Sequence, residues 1–303
     1  MIDDGAAGNQ KIIGHNKRLA LRSEPSCTTI LGMHLYTPPS PRAVMRVTGS
    51  EAHAFLQGML TNDMDLLQNQ PAIFAALLSP QGKVLWTFFV IKHQDGFLLD
   101  CPAVDFDALV KRLTMFRLRA DVTIEDVSDQ WQVCIAEEMS DEGVCYADPR
   151  HDDLGFRCLI PMTKANQHLK KNTFTARFTH MIPEQDVDYI SGQVFASDIN
   201  MDLHNGIAWR KGCYVGQEVV SRMKRRGHVR KRMVLAQFKG PAPKNGIKIL
   251  AGTGPLGQIC SSQDHQALAL VRTDRLAKAL EAGLEINADG WEMILQPPKE
   301  DTK

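Results

Sequence analysis

No run of about eighteen consecutive apolar residues occurs in the 303-residue sequence, so no segment reads as a membrane-spanning helix. An excess of one charge is also missing: 35 Lys and Arg balance 35 Asp and Glu. That excludes a globally basic nucleic-acid binder and a disordered acidic chain, but not a local basic patch. No CxxC pair exists among Cys27, Cys101, Cys134, Cys145, Cys158, Cys213 and Cys260, and their number is odd. This argues against a disulfide framework or a structural zinc site, and for free thiols in a reducing cytoplasm. Apart from Cys213, the cysteines read as small buried hydrophobes. HExxH, GxSxG and Walker patterns are absent, which leaves the familiar hydrolase and nucleotide-binding readings without support. Residues 1–33 lack the apolar core of a secretory signal and are expected to form a loosely ordered extension. The rest is ordinary: 44% hydrophobic, 23% charged, about two domains in length.

The local patterns predict an α+β fold with antiparallel sheets. Ala43–Thr48 reads as a strand that stops at Gly49. Ser50 is then placed to cap a helix whose apolar face is Ala52, Phe55, Leu56, Met59 and Leu60. Residues 72–78 and 83–92 flank Ser79-Pro80-Gln81-Gly82, a β-hairpin signal. A strand over 97–100, a helix over 104–116, and strands over 122–124 and 131–136 follow. Residues 164–180 look helical and then mixed, and 183–210 loop-rich. After His228 short strands alternate with Gly, Pro and Asn turns, which predicts a small barrel or sandwich. The expected domains are thus 34–227, α+β, and 228–303, the small barrel or sandwich.

The densest chemistry lies in Lys211-Gly212-Cys213-Tyr214-Val215-Gly216-Gln217-Glu218. Two glycines permit close backbone approach, and a helix is expected to begin near Glu218. The loop feeding that helix is where amides point outward and favour anions. A thiol there, beside Lys211, gains thiolate character. The plainer reading is a tight turn with Lys211 and Glu218 paired on the surface. Downstream, residues 222–232 carry seven basic residues in eleven, suited to a polyanion, phosphates or RNA, or simply to a solvated helix end. Arg150 and Arg157 flank one turn and could clamp a carboxylate or tie loops together. Thr61-Asn62-Asp63 follows the first helix.

Together these pieces resemble the YgfZ-type folate-binding proteins, iron–sulfur assembly factors in the superfamily of the glycine-cleavage T-protein. The octet at 211–218 is the specific signature. Val47-Thr48-Gly49, Phe55-Leu56-Gln57-Gly58, Thr61-Asn62-Asp63, Leu77–Val84, Arg117-Leu118-Arg119, Asp148-Pro149-Arg150, Ile182-Pro183-Glu184, Asn200, Asp202 and the run through Arg232 are similar to further family segments. The likeness covers roughly residues 40–275. It implies interleaved α+β domains and a C-terminal β-barrel around a central cavity that holds tetrahydrofolate or a derivative. Arg42, Arg150 and the 222–232 segment, with Arg222, would meet the folate's glutamate tail. Asn62, Asp63, Glu184, Gln217 and Glu218 would complete the binding site. Trp86 and Thr87 stand where T-proteins carry an Asp pair, so the aminomethyltransferase reaction lacks its acid/base partner. Within the family, Ala196, Asp198 and Met181 replace a usual Pro, Glu and Gly.

The expected function is a folate-binding accessory factor in assembling or repairing iron–sulfur clusters of client enzymes, tRNA-modifying ones included. Cys213 would be the working thiol and Lys211 its ionising neighbour, with any catalysed step left open. The alternatives are a folate-dependent one-carbon transferase or demethylase, using Asp63 or Glu184 as the carboxylate, and an RNA-binding protein using 222–232. No metal is expected.

Overall fold

The computed structural model describes residues 35–165, 169–171, 175–227 and 229–299. The expectation for residues 1–33 lies outside them. The chain runs β1 (Leu35–Tyr36), β2 (Arg42–Thr48), α1 (Ala52–Met59), β3 (Ala72–Leu78), β4 (Val84–His93), β5 (Gly96–Pro102), α2 (Phe106–Arg117), β6 (Thr123–Asp126), β7 (Trp131–Ala136), β8 (Val144–Ala147) and β9 (Phe156–Pro161). It continues through α3 (Ala176–Thr179), α4 (Gln217–Arg226), β10 (Lys231–Phe238), β11 (Lys248–Ala251), β12 (Gly254–Gln263), β13 (Gln266–Arg272), α5 (Thr273–Glu281), β14 (Ile286–Ala288) and β15 (Trp291–Gln296). All the pairings between these strands are antiparallel. They make a five-stranded sheet in the order β3-β4-β5-β2-β6, a four-stranded sheet β1-β7-β9-β8, and a closed barrel β10-β13-β12-β11-β14-β15.

The sequence of β3, Ala-Ile-Phe-Ala-Ala-Leu-Leu, is apolar without alternation because both of its faces are covered. Ile73, Ala75 and Leu77 join Leu56, Met59, Leu109 and Leu113 of the two helices in one core. Ala72, Phe74, Ala76 and Leu78 face the other way. Their core also takes in Val133 and Leu159 of the second sheet and Met233, Leu235 and Leu268 of the barrel. A third core fills the barrel. Phe116, expected on the buried face of α2, is 38% exposed.

Several expectations are corrected. Ser50 does not cap α1: its amide and hydroxyl both donate to Asp121 Oδ2, 3.2 and 2.7 Å. Among the described residues of 164–180, the only α-helix is the single turn α3. The barrel region is not all β, because α5 follows β13. The cysteines are not all free thiols: Cys145 and Cys158 form a disulfide between directly opposed positions of β8 and β9. Cys134 faces Cys158 from the other side and stays a buried thiol.

No α-helix or strand is formed between His180 and Gly216, yet this segment is held tightly. Asn200 Nδ2 donates to the carbonyls of Met181 and Met233 at 3.0 and 2.9 Å. Arg232 on β10 forks onto Asp202, 2.6 and 2.9 Å, and also reaches the Ser197 carbonyl. These bonds seat the barrel's first strand on the loop. Met181 has φ +54°, a left-handed backbone that glycine adopts without strain.

Candidate functional site

Gly216 explains where the octet sits. Its φ of +82° starts α4, and a Cβ there would lie 2.7 Å from the Ser79 carbonyl oxygen. The octet therefore packs directly on the β3–β4 turn, where a Cβ on Gly82 would strike Val219 of α4 at 2.7 Å. Tyr214 is buried in the core beneath, and Gln217 Nε2 donates back to the Gly212 carbonyl at 3.3 Å. Cys213 is exposed, while the other free cysteines among the described residues (Cys101, Cys134 and Cys260) are buried. Burial pushes the Cys134 and Cys260 thiols up to about 12.

Lys211 does not serve Cys213. Its ammonium donates to the carbonyls of Gln57, Leu60 and Asn62 at 2.7, 2.8 and 2.7 Å. A lysine has three donors, so none is left for a thiolate. Burial lowers its pKa to about 8, against the opposing pull of Asp63 and Asp65. It does not pair with Glu218 either; that carboxylate takes Arg222, one turn on, at the surface.

Asn62 and Asp63 are part of the same anchor. Asn62 is buried, donating to the Phe74 and Asn205 carbonyls and accepting from the Asp63 amide. Asp63 accepts from Gln57 Nε2 at 2.8 Å and caps the short turn after it.

Arg42, Arg150 and Glu184 meet in a different place, a buried ion network between the two sheets. Arg42 and Arg157 both bind Asp100, each with a 2.6 Å contact. Arg150 binds Asp148 at 2.8 Å and Glu184 at 2.7 Å, and lies over the rings of Phe74 and Phe89. Burial alone would raise Glu184, but Arg150, with Arg157 and Arg42 beyond it, holds the carboxyl near 2. Arg177 pairs with Asp188 at 2.8 Å, and Asp188 also accepts from the Ser261 hydroxyl of β12, which ties the barrel to this network. Thr87 is buried against Gln185 and Tyr189, 2.8 Å from the tyrosine oxygen, and Trp86 is buried in the helix-side core.

Arg42 and Arg150, expected to meet a folate tail, are both matched by carboxylates of the fold. The void beside Arg150 and Glu184 is about 20 Å³, far below the few hundred that a drug-sized ligand occupies. A folate does not fit there. Glu184, ionised and paired, is also a poor general base, which removes support for a transferase built on it. A cleft of about 450 Å³ does lie alongside, with Phe74, Pro149 and Ile207 as apolar walls and Asn62, Asp148 and Asn205 as polar edges. That volume suits a pterin-sized ligand.

The site residues predicted from sequence are therefore split over three places: the octet with its Asn62–Asp63 anchor, the ion network, and the surface of α4. The 222–232 segment does not act as one basic face. Arg232 is turned inward onto Asp202, and Lys224 lies 3.8 Å over the Trp209 ring, an aromatic from outside the run. His228 lies outside the described residues. Sequence reasoning missed His151, Asp153 and His180, whose donor atoms all fall within 4.8 Å of one another. His151 and Asp153 were adjacent to the arginine turn, but nothing periodic linked them to His180.

Residues 230–300 match the family model of the CAF17 C-terminal β-barrel domain. Over 276 residues the chain is 28% identical to the mitochondrial iron–sulfur cluster assembly factor IBA57 of Mus musculus, covering 78% of this chain and 76% of that protein. The human protein of the same name is also 28% identical, with the same coverages. A mitochondrial IBA57 homologue of Neurospora crassa is 30% identical over 242 residues, 69% of this chain and 55% of that protein. Among solved structures, the glycine cleavage system aminomethyltransferase T of Bartonella henselae superposes with a TM-score of 0.65 at 13% identity, covering 85% of this chain and 83% of that one. The fold is thus aminomethyltransferase-like, and these matches bear out the resemblance carried by the octet.

Proposed function

We propose that this chain is an iron–sulfur cluster assembly factor that works through Cys213 and takes a reduced folate in the cleft beside Phe74. The observation that carries the reading is an exposed free thiol on an octet loop fastened two residues earlier by Lys211. Support comes from relatives named for that role. A thiolate is a soft ligand suited to iron, and common clusters take four such ligands. One exposed thiol supplies one of them, so a cluster handled here is shared with a partner that brings the rest. Client enzymes, tRNA-modifying ones included, would receive it. The octet is built to present Cys213: Gly216 lets the loop lie on the hairpin, and Tyr214 roots it in the core.

In a strain lacking the natural gene, Cys213→Ser should abolish rescue of iron–sulfur enzyme activity while leaving the melting temperature unchanged. Full rescue sinks the thiol role. Calorimetric titration with tetrahydrofolate should show saturable binding that Ala208→Trp, projecting into the cleft, removes. Absence of binding to the wild-type protein sinks the folate part alone.

A further inference from the structure

We propose that His151, Asp153 and His180 form a binding site for a divalent first-row transition-metal ion, open on its solvent side. His180 Nε2 lies 2.7 Å and His151 Nδ1 3.8 Å from the same oxygen, Asp153 Oδ2. Ligands on a tetrahedral ion at ordinary Zn–N and Zn–O lengths sit about 3.3 Å apart, so both separations reach that value by shifts of about half an ångström. An ion pair with Asp153 requires one imidazole. Here a second imidazole lies against the first, rings 3.5 Å apart, and its Nδ1 accepts from the Asp153 amide at 3.2 Å, a bond that rotation of the ring would exchange for the ion. Imidazole nitrogen with a single carboxylate selects zinc, iron, nickel or copper over calcium or magnesium, which take oxygen ligands.

The backbone holds these groups in place. His151 precedes a short 3-10 turn, and its carbonyl accepts from the Leu154 amide at 3.1 Å. The turn is fixed in turn by Arg150, pinned between Asp148 and Glu184. His180 ends α3, its amide donating to the Ala176 carbonyl at 2.9 Å. A third imidazole, His204, is a separate observation at the same spot. It is 9% exposed, its Nε2 is buried without a hydrogen-bond partner, and the ring is hydrogen-bonded to the His180 backbone. His151, Asp153 and His180 keep part of their surface in solvent, which leaves room for water or a further ligand on the ion. His151 also lines the cleft described above, so the ion would sit at its rim.

The test is calorimetric titration of the chelator-stripped full chain with Zn²⁺ in the Cys213→Ser background, which removes the exposed thiol as a competing ligand. One equivalent should bind. His151→Ala, His180→Ala and Asp153→Asn should each weaken binding by about tenfold or more. No uptake by the parent chain, or a smaller loss in the His151→Ala/His180→Ala double variant, overturns the site. Proton NMR of the parent chain with Co²⁺ needs no variant and guards against misfolding. Paramagnetic shifts on the His151 and His180 rings support the site; shifts confined to other histidines overturn it.

Discussion

Lys211 brings three N–H donors to the end of α1, where the fold presents three carbonyls. Lys211→Met keeps the stem and strips the donors, leaving those carbonyls short of a partner. It should lower unfolding free energy by on the order of 2–4 kcal/mol, read from urea melts. A loss below about 0.5 kcal/mol would mean water replaces the ammonium at little cost. The octet was legible as a motif, but this role was not. Sequence proximity suggested a thiol two residues away as the partner, whereas the actual acceptors lie about 150 positions upstream. Met181 carries a second residue-scale prediction. At φ +54°, Met181→Gly should be more stable than Met181→Ala by about 1 kcal/mol, although both lose the same side-chain packing. An alanine variant equal to the glycine variant would show that the backbone relaxes.

At the scale of elements, β8 is a short edge strand held to β9 by its ladder and by the Cys145–Cys158 disulfide. The bond closes a loop with a sequence separation of 13. Reduction should therefore cost up to about 3 kcal/mol, and Cys145→Ser should reproduce the reduced protein's urea midpoint. Identical midpoints with and without reductant would show that the strand ladder suffices. Strong turn chemistry made the β3–β4 hairpin readable, because Ser79-Pro80-Gln81-Gly82 interrupts two long apolar runs. Between β8 and β9 the turn signals Asp148-Pro149 and Gly155 are present, but the flanking runs are short, and the pairing of two cysteines depends on register, which spacing alone does not reveal. The helix α5 was hidden inside a region whose short strands and turns read as β throughout.

Across the whole molecule, six charged side chains from both sheets and the connecting loops neutralise one another in the interior: Arg42, Asp100, Asp148, Arg150, Arg157 and Glu184. Glu184's folded value near 2 lies below its ordinary 4.5. Its contribution, on the order of 3 kcal/mol, is therefore complete above pH 4.5 and is lost as pH falls toward 2, where the unfolded chain takes up the proton first. Glu184→Gln should be destabilised by roughly 3–5 kcal/mol at pH 7 and show a flatter stability curve between pH 4.5 and 2. Equal slopes for the two proteins in that window would place the acid sensitivity elsewhere. Hydrophobic patterning made the architecture legible but not this network, because arginines and carboxylates far apart in sequence look like surface until the sheets close over them. The fastening of the octet bears on how the molecule meets others. Cys213 is two residues from a point clamped into the body, so its leash is at most about 7 Å of chain. In the proposed role the thiol is a mount and not an arm: a partner would have to carry its own reacting atom to this chain, and the fit of the two surfaces would decide which partners succeed.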